Sequence, residues 1–155
     1  MSPETLRVIH AICVIWMTSV IWIIQCIVYP SFAEVEPTRF KTFHELHMNR
    51  ITWIVAPPML LQLFTSALLL FFRFPGGFLG ETPPTPGPDF AGFHFVCALA
   101  LFLSTFFISV PHHDQLQKDF NPASARRLVK WNWIRTGIWT VEFGVVVSQM
   151  LKQPG

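Results

Sequence analysis

An all-α fold, four helices bundled across a lipid bilayer, is predicted by three features of this 155-residue sequence. Three stretches, Val8–Tyr29, Ile51–Phe72 and Phe90–Val110, hold no Asp, Glu, Lys or Arg. Each is about 20 residues, which as helix rises roughly 30 Å, the thickness of the hydrocarbon core. In lipid every backbone amide must bond within its own segment, so such runs become helices. Composition agrees: 52% apolar and 13% charged residues, with a mean hydropathy of +0.45, suit neither a water-soluble nor a disordered chain.

The expected spans are about 6–29, 50–73, 90–110 and 129–151, the last (Leu128–Leu151) weaker because it carries Lys130, Arg135 and Glu142. Together they form a single transmembrane domain over 1–155, with no room for a separate soluble one. Ser31-Phe32-Ala33 resembles a signal-cleavage site. The preceding apolar run is about twice a normal signal core, so span one is expected to stay attached. A net charge of +2 without a dense basic cluster excludes nucleic acid as a partner. Cys13, Cys26 and Cys97 read as small buried apolar side chains, with no CxxC pair for thiol chemistry.

Positive residues favour the cytoplasmic side. Arg7, Arg73 and Lys152 flank one set of ends; Arg39, Lys41, Arg50, Lys118, Arg126, Arg127 and Lys130 lie in the other. This places both termini outside an inner (plasma) membrane and loops 31–50 and 111–128 in the cytoplasm. The Pro75-Gly76-Gly77 and Thr82–Pro88 segments read as an extended outer spacer, with Asp89 capping span three. In the first cytoplasmic loop, Phe40, Phe43, His44, His47 and Ile51 share one helical face. Helix two is therefore expected to begin near Thr38 and extend into the cytoplasm, with a kink at Pro57-Pro58. Pro111-His112-His113-Asp114 reads as a corner after span three, and Asn121-Pro122 starts a basic helix leading into span four.

Helix rise alone brings His44, His47, His112, His113, Tyr29 and Arg50 to one membrane level, with Gln25, Asn132 and Arg135 a turn deeper. Asn132, Arg135, Trp139 and Glu142 lie on one face of span four. A charge facing lipid is costly, so that face points inward. Three readings of the histidines stay open. They could ligate a transition metal, with His44, His47, His112, His113 and Asp114 as the donor set. They could act with Arg135 as bases or orienting groups without metal. Or they could simply hydrogen-bond at the interface. In the catalytic reading Gln25, Tyr29, Arg50, Asn132, Trp139 and Glu142 would line a substrate site. His10 and His94, at matching depth near the outer ends of spans one and three, allow a bis-histidine haem. Trp131 and Trp133 suit an interfacial belt, while the other tryptophans read as packing.

Tyr29-Pro30 closing span one, a histidine-bearing second helix and Trp131-Asn132-Trp133-Ile134-Arg135-Thr136 opening span four resemble small bacterial four-span membrane proteins of unknown function. More distantly they resemble anthrone-oxygenase-like membrane proteins, whose fourth span carries an Asn-x-x-Arg element. That resemblance implies an oxidoreductase acting on a phenolic anthrone or quinone-type compound with dioxygen, Asn132 and Arg135 polarising the substrate. The competing function is a non-catalytic membrane subunit or a ligand- or metal-binding sensor. The partners expected are the bilayer, a lipophilic small molecule and a second copy in a homodimer.

Overall fold

The computed structural model describes residues 2–72, 90–118 and 120–152, and every element in them is helical. Arg73, the Pro/Gly-rich spacer and Asp89 lie outside the described residues.

Helix α1 spans Pro3–Ile23. Proline suits its first turn, and the Ser2 hydroxyl accepts the Thr5 N–H at 3.2 Å as the N-cap. The rod does not end at Tyr29-Pro30. It passes through a π turn (Ile24–Val28), a short α2 (Tyr29–Ser31) and a 3₁₀ turn (Phe32–Glu34). Pro30 has no N–H and its ring would strike the carbonyl four residues back, so the widened turn before it lets the helix continue. The same solution recurs after α4 (Ala91–Ser104). A π turn over Thr105–Ser109 precedes Pro111, and α5 (Val110–Lys118) carries on. The expected Pro-His-His-Asp corner is thus helix, not loop.

The chain turns at Val35 and Glu36, both with extended ψ values of 128° and 131°. Helix α3 then runs from Pro37 to Phe71 as one element through Pro57 and Pro58. Helix α6 spans Pro122–Leu151, with the Asn121 side chain accepting the Ala123 N–H at 2.8 Å. Three stretches, Pro3–Glu34, Pro37–Phe71 and Ala91–Lys118, are long and apolar enough to cross a membrane.

The helices close into a ring: α1 packs on α3 and α6, and α4 packs on the same two. Sequence neighbours are spatial neighbours throughout, the pattern of an up-and-down bundle. The main apolar core joins Met17, Ile21 and Ile24 to Phe32, Phe40, Met59, Leu101, Leu116, Leu128 and Trp139. Phe32 and Phe40 pack edge to face at 5.8 Å, which fixes the end of the first rod against the start of α3. Cys13 is buried as expected, but Cys26 is exposed. Of the six tryptophans only Trp139 is fully buried; the other five, Trp131 and Trp133 among them, are exposed.

Phe32→Ala should therefore lower stability by about 3–5 kcal/mol, measured by denaturation in detergent. It empties a site that is 1% exposed and lined by the rings of Tyr29, Phe40, Phe43, His44 and His47.

Candidate functional site

Polar side chains meet in two layers, one at each end of the bundle. The antiparallel order of the helices explains the sorting. The end of the first rod, the start of α3, the end of the α4–α5 rod and the start of α6 share one level. The start of α1, the later half of α3, the start of α4 and the later half of α6 share the other.

In the first layer, the Tyr29 hydroxyl lies 3.2 Å from His113 Nε2, and His113 Nδ1 lies 2.9 Å from His44 Nε2. His47 completes the cluster, its ring 6.2 Å from that of His113. The π turns position two of these groups: Tyr29 directly follows the first, and His113 stands about one helical turn beyond the second, two residues after Pro111. A neutral imidazole carries one N–H, so the chain has two consistent states. Either Tyr29 donates to His113 and His113 donates to His44, or both bonds run in reverse. In both, buried His44 Nδ1 is left without a partner.

Beside this chain sits Arg135. Its Nη1 donates to Ser109 Oγ at 3.0 Å and to Asn132 Oδ1 at 3.3 Å, and Asn132 Nδ2 donates to Gln25 Oε1 at 2.7 Å. The guanidinium lies over the Trp139 ring at 5.3 Å. Its Nε is buried and unpartnered, and no carboxylate among the described residues reaches ion-pair distance.

The second layer surrounds Glu142, which is fully buried. Trp139 Nε1 donates to Gln62 Oε1 at 3.2 Å, and Gln62 Nε2 donates to Glu142 Oε2 at 2.8 Å. Indole is a donor only, so this pair fixes which end of the Gln62 amide faces the carboxylate. The other oxygen, Oε1, lies 3.3 Å from His10 Nε2 and 3.2 Å from His94 Nδ1.

Several sequence expectations change here. Arg50 is exposed and joins neither layer. His112 is only half-buried, and Asp114 is exposed in a groove with Lys41, Glu45, Gln117 and Lys118. The five-ligand metal set therefore does not converge, because α5 continues as helix and turns those neighbours of His113 away. Glu142 belongs to the opposite layer from Gln25, Tyr29 and Asn132, and Trp139 lies between the two, touching Arg135 on one side and Gln62 on the other. A haem between His10 and His94 is ruled out in this arrangement. Their rings are in edge contact, centroids 4.7 Å apart, which leaves no space for a porphyrin. Sequence reasoning misses Gln62, Thr65 and Ser109; of these, Gln62 is findable as the lone amide in an otherwise apolar span.

No protein-family model, curated protein or solved structure matches the chain.

Replacing Gln62 by Ala orphans both the Trp139 N–H and one Glu142 oxygen, so it should cost about 2–5 kcal/mol. Thr140→Ala, which removes the exposed Trp22 bond and the hydroxyl's own bond to the Thr136 carbonyl one turn back, should cost only about 1 kcal/mol on the same denaturation assay.

Proposed function

We propose that the chain is an integral protein of the inner (plasma) membrane, four helices crossing with both termini outside. What supports this is an inverted surface. His10, Gln25, Gln62, Asn132, Arg135 and Glu142 are buried, while Trp53 is 82% and Phe107 76% exposed. Water would favour the reverse; hydrocarbon outside favours this. Within that frame Pro57 and Pro58 withdraw two amide donors from α3 and bend it.

At the cytoplasmic end the protein binds a lipophilic phenol- or quinone-type compound and moves a proton to or from it. The observation that carries this reading is the Tyr29–His113–His44 chain beside a buried guanidinium that has no carboxylate. A hydrogen-bonded chain open at His44 Nδ1 can take a proton from a phenol, and the resulting phenolate is the anion Arg135 lacks. Asn132, Gln25 and Ser109 hold the guanidinium in place. By the resemblance to anthrone oxygenases the oxidant would be dioxygen. One oxygen atom would enter the carbon that loses two hydrogens, and the other would leave with them as water. The Arg126, Arg127 and Lys130 groove along α6, with Trp131 and Ile134 as its apolar wall, would rest on anionic headgroups.

Topology and binding can be tested separately. Accessibility tags in the 38–50 and 111–128 segments should both report the cytoplasmic side; opposite sides would split the histidine chain and end the proposal. A lipid-soluble naphthol or naphthoquinone should quench tryptophan fluorescence of the detergent-purified protein. Arg135→Ala should weaken that binding at least about tenfold, or 1.4 kcal/mol, with helicity retained. If the variant binds equally well, the polar layer merely ties helices together, as in a non-catalytic subunit.

A further inference from the structure

We propose that His10, His94 and Glu142 form a binding site for one divalent first-row transition ion, zinc being the best match to the donors. The site lies at the end of the bundle opposite the histidine chain and shares no ligand with it. One ligand atom from each of the three residues lies within 4.8 Å of the others, and all three residues are buried.

The hydrogen bonds around the site allow both imidazoles to turn a lone pair toward the carboxylate. The Thr65 hydroxyl can donate to the Leu61 carbonyl at 2.8 Å or the Gln62 carbonyl at 3.1 Å while accepting from His10 Nδ1, 3.2 Å away. In that tautomer the His10 Nε2 lone pair points at Glu142 Oε1. His94 stands between two acceptors, with Nδ1 3.2 Å from Glu142 Oε1 and Nε2 3.4 Å from Gln149 Oε1. With its proton on Nε2 the Nδ1 lone pair faces the same carboxylate oxygen; with the proton on Nδ1 the ring hydrogen-bonds Glu142 and releases that proton when a metal binds. Gln62 meanwhile occupies Oε2.

With both imidazole protons turned outward, three lone pairs converge on one point, and a cation there would relieve their repulsion. His10 Nε2 has no hydrogen-bond partner although it is buried. The spacings fit an ion. Ligands bonded at about 2.0–2.2 Å to a tetrahedral centre stand about 3.3–3.5 Å apart. The two nitrogen-to-oxygen distances are 3.3 and 3.2 Å. Two imidazoles and one carboxylate suit zinc or ferrous iron and leave a further coordination position open. Thr65, Gln149 and Gln62 are the outer partners that orient such ligands.

The test uses the full chain in detergent, stripped with chelator and titrated with Zn²⁺, and with Co²⁺ as a coloured substitute. One ion per chain is expected, with visible cobalt bands. Glu142→Gln and His94→Gln should abolish stoichiometric binding, while His113→Gln should retain it. Thr65→Val keeps all three donors and removes the hydroxyl that orients His10, along with that hydroxyl's bonds to carbonyls of its own helix, so it should weaken binding about 10- to 100-fold with helicity unchanged. This variant decides the matter if the ligand variants fold poorly. Failure of the wild-type chain to retain an ion would mean that protons alone neutralise the cluster, and would overturn the proposal. So would unchanged affinity in Thr65→Val, or binding that is lost in His113→Gln.

Discussion

Arg135 and Glu142 occupy one buried face of α6, seven residues and about 10 Å apart along the axis. Neither can reach the other closely enough to pair, so each must be satisfied separately, in surroundings that exclude water. The rest of the interior is a response to this requirement. Gln25, Ser109 and Asn132 come from three helices to serve the guanidinium. Gln62, His10 and His94 come from three helices to serve the carboxylate. A bundle that met only one of these needs would leave a charge uncompensated, a loss of about 3–5 kcal/mol.

Prolines contribute in an unexpected way. Pro30 and Pro111 sit at matching places in the first and third rods, each just after a π turn. An α-helix would stop or bend sharply at both. The extra residue in the turn instead rotates the segment beyond it. In the first rod that segment carries Phe32, which seals the layer, and in the third it carries His113, which links Tyr29 to His44. A substitution that restored regular helix there would turn those side chains by roughly a quarter turn relative to the groups before them.

Helix count, the start of α3 at Pro37, the Asn121 cap and the inward face of α6 were all legible in the sequence, because charge-free length, proline and capping residues are local signals. The partners were not. Grouping residues by helical face put Trp139 and Glu142 with Asn132, yet from Asn132 to Glu142 that face rises about 15 Å and serves two layers. His10 and His94 were correctly placed at one level, but only three dimensions show that Glu142 lies between them and the α3 amide. His112 and Asp114 looked like ligands because proline implied a loop; the π turn keeps them on a helix, where neighbours of a buried residue point elsewhere. Arg50 looked inward by depth alone, and nothing local distinguishes a half-turn of rotation.

Trp139 stands where the two layers meet. Its ring face takes the Arg135 cation, and its indole N–H holds Gln62, which in turn holds Glu142. The two contacts use different parts of one rigid group, so the indole cannot improve one without moving the other. Residues sharing a partner in this way are coupled, by about 0.5–3 kcal/mol where such terms are measured. Charge placed near Arg135 would therefore be felt at the Glu142 carboxylate through the position of a single side chain. With 0% of its surface exposed, Trp139 has no alternative rotamer to relax into unless the helices around it separate.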